Sequence, residues 1–235
     1  MRQSQLSLSD DDARFLPNFK IAIARKMLEI HDFFAACVGT WTTERTYHYP
    51  LQNEVERSYT EFNVAALKSA EKYQISAAFL PVGCITGESA IDRSPGFSIS
   101  FDTVSEKGER VAMQLQALFV AEQEIVAPHL IPTDPLAPAT PAAAEILDST
   151  EVIRGLYVRD EGYSETGAIT GRFTYLPSRQ SLEMTTYYSR SVAVDLIRLI
   201  SPDLRLRTIV TYQRPQAGAV PTIINLVGFG LERRS

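Results

Sequence analysis

Two arginines stand two positions apart in the segment SPDLRLRTIVTYQ, residues 201–213. In an extended strand, successive side chains alternate between faces, so Arg205 and Arg207 share a face with Ile209. A solvated outer face would account for them, because arginine is mostly exposed in folded proteins. A barrel interior that receives an anionic ligand would account for them as well, because guanidinium groups bind carboxylates through paired, charge-assisted hydrogen bonds. Two or three such arginines would match a ligand that carries more than one carboxylate.

Three further polar side chains are of types that can converge with these arginines inside a barrel. Arg45 and His48 belong to the stretch WTTERTYHY, and Asp195 lies upstream of the arginine pair. Alternation places Arg45 on one face of its strand and His48 on the other. If Asp195 faces the same interior as Arg205 and Arg207, that interior contains both signs of charge.

Other arrangements that usually mark an enzyme are not visible in the sequence. It has no G-x-S-x-G elbow, no H-E-x-x-H pair and no nucleophile beside an obvious base. The three histidines stand apart from other candidate metal ligands, and Cys37 and Cys84 lack a C-x-x-C spacing. We predict no metal site, surface roles for His31 and His129, and cysteines that behave as small buried apolar residues.

Strand-like segments separated by turn signals dominate the chain after Trp41. Their short lengths and close spacing predict an antiparallel meander that closes into a mainly β fold, a single up-and-down barrel of about ten strands. Such a barrel has no free edges and can enclose a small ligand. The predicted strands cover residues 41–49, 55–64, 73–80, 87–94, 97–104, 109–120, 151–163, 169–177, 181–190, 204–213 and 222–233.

The remaining segments define the domain organisation. Apolar residues at helical intervals predict one long helix over residues 18–39, with Gly39 placed to end it. Residues 1–16 are predicted to be a flexible tail, and residues 17–235 a single barrel domain. The Pro/Ala-rich stretch 126–148 is read as a long loop within the barrel, because too few strands follow it for a separate core.

Composition excludes several classes of function. The chain has 235 residues with 45% hydrophobic and 22% charged residues, as expected for a globular domain. Its net charge of −5 argues against a nucleic-acid partner, which would require a basic surface. No apolar run approaches the roughly 20 residues that cross a bilayer, and the polar, acidic N-terminus resembles neither a secretion signal nor a transit peptide. A reducing cytoplasm is the default expectation.

Three blocks of sequence resemble the S-type phycobiliprotein lyases, the CpcS/CpeS chromophore lyase family. The stretch DFFAACVGTWTTERTYHY is similar to the family's opening FF-x-x-x-x-G-x-W followed by R-T-x-H. The segment SPDLRLRTIV is close to the family's S-P-N-L-R-L-R-T block, and RDEGYSETGAITGRFTY resembles its R-E-x-G-Y and G-R-Y stretch. The resemblance extends from about residue 27 to the C-terminus.

The resemblance implies a lipocalin-like or fatty-acid-binding-protein-like barrel that holds a linear tetrapyrrole, a bilin, and attaches it to a cysteine of a phycobiliprotein subunit. It implies that Arg205 and Arg207 hold the propionates of the bilin, and that Arg45 and His48 contact the same ligand or order its site. Asp195 matches an acidic position expected to face the pyrrole nitrogens, where it would be the catalytic residue. A turn or strand-edge aspartate is the alternative reading.

The same resemblance implies phycocyanobilin or phycoerythrobilin as substrate, no tightly bound cofactor, and an apo-subunit of a phycobiliprotein as partner. A paralogous lyase subunit or a homodimer is a further possible partner. The cytoplasm of a cyanobacterium or a plastid stroma is the implied location. Two alternatives stay open: a bilin carrier or accessory subunit without catalytic activity, and a lipocalin-like carrier of another apolar anion.

Overall fold

The computed structural model describes residues 27–132, 152–163, 165–216 and 218–235. Ten strands in these residues form one closed barrel in which each strand pairs antiparallel with its sequence neighbours and the first pairs with the last. This confirms the predicted fold class. The strands are β1 (Gly39–Tyr49), β2 (Glu54–Ala66), β3 (Gly96–Ser105), β4 (Arg110–Ala121), β5 (Ile153–Arg159), β6 (Ile169–Leu176), β7 (Ser181–Tyr187), β8 (Ser191–Ser201), β9 (Leu204–Gln213) and β10 (Ile224–Arg234).

Helix α1 (Ile30–Cys37) packs onto the core at the end of the barrel where β1 begins. Its buried residues Phe33, Phe34 and Cys37 follow helical spacing and face the barrel core. Arg234 at the end of β10 donates a 2.6 Å hydrogen bond to the Ala36 carbonyl, which satisfies one of the free carbonyls at the end of the helix. The helix is therefore tied to the last strand as well as to the core.

The predicted helix over residues 18–39 is shorter than expected in its described part. Residues 27–29 are not helical, because Glu29 adopts an extended backbone and acts as the N-cap of α1. Residues 18–26 lie outside the described residues, as do the predicted tail 1–16 and residues 133–148 of the predicted loop.

Two predicted strands are wrong, and one real strand was missed. Residues 73–80 and 87–94 belong mainly to helices α2 (Ser69–Phe79) and α3 (Glu88–Arg93) between β2 and β3. A carboxylate oxygen of Glu71 accepts a 2.7 Å hydrogen bond from the Lys68 backbone and starts α2. Buried Ile75 of α2 packs on a second apolar cluster that includes Leu118 and Leu156. Strand β8 was missed, so the predicted strand number was near ten through compensating errors.

Aromatic side chains fill the part of the barrel next to α1. Trp41 is completely buried, and its indole nitrogen donates a 3.0 Å hydrogen bond to the Cys37 carbonyl. Phe33 lies 4.9 Å from the Tyr175 ring between centroids, and Phe119 lies 5.4 Å from the Phe173 ring. Such contacts add to the free energy of apolar burial. The other half of the barrel is not filled in this way and contains a cavity. None of the helices in the described ranges is long and apolar enough to span a membrane.

The substitution Phe33→Ala is expected to lower the free energy of unfolding by about 3–5 kcal/mol, because it leaves a cavity under α1. Phe33 is 1% exposed, whereas His31 on the same helix is exposed. His31→Ala should change the free energy by less than about 0.5 kcal/mol. Denaturant unfolding followed by the fluorescence of Trp41, the single tryptophan of the chain, measures both. Equal values for the two variants would show that α1 does not stabilise the barrel.

Candidate ligand-binding site

The half of the barrel away from α1 contains a cavity of about 450 Å³. It is reached from the end where β1 finishes and β2 begins, because Tyr47 and Thr211 near the ends of their strands line it. Its wall combines apolar side chains such as Phe62 and Ile209 with a few converging charged groups. That combination is typical of a site for a small organic molecule.

Arg207 and Asp195 form an ion pair in the wall of this cavity. The Nε atom of Arg207 donates a 2.9 Å hydrogen bond to Oδ1 of Asp195, and its Nη2 atom donates to Oδ2. The strand register permits this pair because Asp195 of β8 lies opposite Ile209 of β9, the next inward position after Arg207. The Asp195 side chain is 15% exposed, so it is accessible from the cavity. The pair raises the pKa of Arg207 against the opposing effect of burial.

Glu232 lies next to this pair and contacts three arginines. It is fully buried and accepts hydrogen bonds from Arg205 and, at 2.9 Å, from Arg45; Nη1 of Arg207 is 4.0 Å away. Burial alone would raise the pKa of Glu232, but Arg205, Arg207 and Arg45 outweigh it and lower the pKa. Gly230 makes room for the network, since a Cβ atom there would lie 3.1 Å from Cγ of Arg45. Glu232 is therefore an ionised counterion that fixes the positions of the arginines.

Arg205 belongs to the layer between the aromatic core and the main cavity. It is 2% exposed, and its guanidinium carbon lies 4.3 Å from the Trp41 ring centroid and 5.0 Å from that of Phe62. Arg205 lines a second, small cavity of about 40 Å³ and does not line the large cavity of about 450 Å³. The cation–π contacts and the bond to Glu232 satisfy its charge. Arg205 thus supports the site from behind.

His48 lies on the outer face of β1, away from the other candidate residues. Arg45 and Tyr47 line the cavity, whereas the His48 ring stacks on Phe229 with centroids 5.8 Å apart, and the Phe229 side chain is 47% exposed. The structure therefore brings together Arg45, Arg205, Arg207 and Asp195 but does not place His48 with them. Direct contact between His48 and a ligand in the cavity is incompatible with this position. Its spacing of three from Arg45 already implied opposite faces.

Sequence reasoning missed two charged residues of the interior, Glu232 and Arg159. Glu232 lies in a predicted strand, but its role becomes visible only because it pairs across strands with Arg205 of β9. The loop between β9 and β10 makes the register of these two strands impossible to deduce from the sequence. Arg159 begins the family-like block RDEGY and ends β5. It is 7% exposed and lines both cavities. The only sequence signal for Arg159 was its position in the RDEGY block, and no role was assigned to that block from the sequence.

The interior has a net positive charge. In the described residues, four arginines line the two cavities, and the acidic groups in contact with them are Asp195 and Glu232, which leaves two positive charges in excess. A ligand with two carboxylates would neutralise this excess. None of the described residues form a group of three or more His, Cys, Asp or Glu side chains that could hold a metal ion.

Comparison with known proteins places this geometry in a family. The family model of CpeS-like proteins matches residues 29–128 and 139–235, which together contain all ten strands. The chain belongs to the CpeS-like family. It is 38% identical to "Chromophore lyase CpcS/CpeS 1" of Synechococcus sp. (strain JA-3-3Ab) over 88% of this chain and 96% of that protein. The family assignment therefore covers both the barrel and the charged interior.

Two more distant relatives extend the comparison. The "Chromophore lyase CpcS/CpeS" of Thermosynechococcus vestitus (strain NIES-2133 / IAM M-273 / BP-1) is 23% identical over 77% of this chain and 82% of the relative. The solved structure of the S-type phycobiliprotein lyase CPES from Guillardia theta matches with a TM-score of 0.62 and 15% identity. That match covers 93% of this chain and 98% of the solved one, and it shows that the two share the CpeS-like barrel.

Proposed function

We propose that this CpeS-like protein is a chromophore lyase that binds a bilin in its barrel cavity and promotes thioether attachment to a cysteine of a phycobiliprotein subunit. The observation that carries the proposal is the 450 Å³ cavity, in a barrel interior with two uncompensated positive charges, in a chain 38% identical to a chromophore lyase. A bilin carries two propionates and a flat apolar body. Its charge and shape are complementary to this wall of arginines and aromatic side chains.

In the proposed reaction, the sulfur of the acceptor cysteine adds to the ethylidene group of the bilin A-ring. The double bond is consumed, the S–H bond breaks, and the thiol proton ends on the chromophore. No group leaves and no oxidant is required. The nucleophile belongs to the partner, which explains why the chain needs none of its own.

Asp195 is proposed to act on the pyrrole nitrogens. A carboxylate beside them stabilises the protonated, more electrophilic form of the tetrapyrrole. Its bond to Arg207 holds one edge of the carboxylate in place, and the 15% exposure of the side chain leaves the group accessible to the cavity.

The arginines are proposed to have two kinds of role. Arg207 and Arg45 line the large cavity and are placed to bind a propionate of the ligand. Arg205 is a positioning residue, since it reaches the site only through Glu232. Holding a flexible tetrapyrrole in one extended pose would present a single carbon and a single face to the thiol.

The proposal includes the finer expectations about substrate and partners. Phycocyanobilin or phycoerythrobilin is the substrate, and no tightly bound cofactor is needed. The acceptor is an apo-subunit that docks at the open end of the barrel, in cyanobacterial cytoplasm or plastid stroma. A second lyase subunit, paralogous or identical, is a possible further partner.

The transfer assay tests this proposal. The purified chain is incubated with phycocyanobilin and an apo-phycobiliprotein subunit, and covalent product is detected after denaturing electrophoresis by zinc-enhanced fluorescence. We expect a single product with defined stereochemistry, formed faster than in a control without the chain. Binding with no gain over spontaneous attachment would indicate an accessory subunit, and no bilin binding would overturn the proposal.

A further inference from the structure

Arg159 differs from the other three arginines of the interior in having no acidic partner among the described residues. Arg45 and Arg205 bind Glu232, and Arg207 binds Asp195. Arg159 has no such ion pair, and its Nε atom is buried without a hydrogen-bond partner. A guanidinium group stays charged at any pH at which the protein is folded. The excess positive charge of the interior is therefore localised in part at Arg159.

The surroundings of Arg159 are aromatic hydroxyl groups. Its Nη2 atom donates a hydrogen bond to the Tyr188 hydroxyl. The guanidinium carbon lies 4.7 Å from the centroid of the Tyr163 ring and 5.8 Å from that of Tyr188. These rings shield the cation from water but do not neutralise it. A second hydroxyl pair, Tyr157 with Thr186, lies on the adjoining inward positions of β5 and β7.

Burial makes this arrangement costly unless an anion completes it. Arg159 is 7% exposed, and an isolated buried charge is unfavourable compared with a paired one. The residue lines the large cavity together with Tyr163 and Tyr188, so an anion bound there can reach it. The planar guanidinium offers two parallel N–H groups, which is the geometry that carboxylates prefer.

We propose that Arg159, Tyr163 and Tyr188 form a carboxylate-binding subsite of the cavity, separate from the Arg207–Asp195 pair. The subsite rests on the proposed function: in a bilin it binds one of the two propionates. Because Arg159 lies on β5 and Arg207 on β9, the subsite fixes one part of the ligand from a different side of the barrel. Arg159 is therefore a specificity-determining residue that selects free acids over esters.

Paired titrations with a free acid and its ester test the subsite. Phycocyanobilin and its dimethyl ester are titrated into the wild type, Arg159→Gln and Arg159→Lys, with binding followed by absorbance. The wild type should bind the free acid more tightly than the ester by about tenfold or more, the usual value of a charge-assisted hydrogen bond. Arg159→Gln should lose the share of that preference that one propionate supplies, about tenfold, and keep the share that Arg207 and Arg45 supply through the other propionate. Its affinity for the ester should stay within about threefold of the wild type. Arg159→Lys keeps the positive charge but lacks the two parallel N–H groups of the guanidinium, so it should give an intermediate preference.

Arg172→Gln is the matched control. Arg172 also donates a hydrogen bond to a tyrosine hydroxyl, that of Tyr187, and lies 5.4 Å from the centroid of its ring. It occupies an outward position on β6, next to inward Gly171 and Phe173, and does not line the large cavity. We expect Arg172→Gln to keep the full preference for the free acid. A loss in this control as large as that in Arg159→Gln would overturn the subsite.

A second ligand pair separates the subsite from the proposed function. Oleate and methyl oleate are titrated into the same variants by calorimetry. A preference for oleate that depends on Arg159, together with no binding of bilin, would keep the subsite and overturn the bilin lyase. Bilin binding without a preference that depends on Arg159 would keep the proposed function and overturn the subsite. Loss of acid and ester binding to the same extent in Arg159→Gln would assign it a structural role and also overturn the proposal.

Discussion

Asp195→Asn is expected to reduce the rate of covalent bilin transfer by about 10²–10⁴-fold, the usual contribution of a positioned acid or base. Asparagine has nearly the same shape and keeps one oxygen for the hydrogen bond from Arg207, so the fold should be retained. The variant removes a negative charge from the cavity and leaves Arg207 without its counterion, so affinity for a dianionic bilin should be kept or increased. The effect should fall on the rate of transfer from the complex and on the red-shifted absorbance of the protonated chromophore.

A similar pair on the outside of the barrel provides the control for Asp195. Asp102 also accepts hydrogen bonds from two nitrogens of one arginine, Arg110, with 2.9 Å between its Oδ1 atom and the Nε atom. That pair is exposed and does not line the cavity. Asp102→Asn should leave transfer unchanged. Equal transfer rates for Asp195→Asn and the wild type would remove Asp195 from the proposed chemistry.

Glu232→Gln is expected to lower the free energy of unfolding by about 3–5 kcal/mol, because removing one member of a buried ionic network leaves its partners uncompensated. Glu232 is completely buried and forms ion pairs with Arg45 and Arg205, with Arg207 close by. Glutamine keeps the shape but has no charge. Equilibrium unfolding in urea at neutral pH, followed by Trp41 fluorescence, measures the loss.

The same variant should differ from the wild type in its dependence on pH. Because the pKa of Glu232 is lowered in the folded protein, its contribution to stability is complete above the unfolded-state pKa of about 4.3. The contribution is lost as the pH falls through the lower folded value. The difference between Glu232→Gln and the wild type should therefore shrink under strongly acidic conditions.

Glu106→Gln is the control for this prediction. Oε2 of Glu106 lies 3.8 Å from Nη1 of Arg57, and the two side chains are 39% and 72% exposed. This pair should therefore contribute less than about 1 kcal/mol to the free energy of unfolding. A loss for Glu232→Gln as small as that for Glu106→Gln would show that the buried network does not hold the barrel together.

Much of the barrel could be predicted from the sequence because alternation of inward and outward side chains is a local signal. The prediction of secondary structure failed where this local signal is ambiguous. Residues 73–80 alternate well enough to resemble a strand, but the Lys68–Glu71 cap and the packing of Ile75 on a second apolar cluster make them helical. Strand β8 was hidden because the β7–β8 turn at residues 188–190 contains no Gly, Pro or Asn.

The candidate site was predictable only as far as single strands carry it. Alternation and the family-like blocks led to Arg45, Arg205 and Arg207, and the resemblance to the family added Asp195 at an acidic position. The structure brings these four together. Which acidic residue pairs with which arginine depends on the pairing of strands, and the sequence does not specify that pairing. For that reason the sequence did not show that Glu232 neutralises Arg205 or that Arg159 has no acidic partner in the described part of the chain.

An absorbance titration with phycocyanobilin, comparing the wild type with Ala193→Trp, tests most directly whether the barrel cavity binds the chromophore. Ala193 lines the large cavity, and an indole there would occupy much of the space available to a ligand. Glu61→Trp, at an exposed outward position on β2, is the control for adding a tryptophan, and unchanged thermal unfolding of both variants shows that the barrel is intact. We expect stoichiometric binding with a red shift for the wild type and Glu61→Trp, and none for folded Ala193→Trp. Equal binding by all three proteins would place the bilin outside the cavity and overturn the proposed binding site.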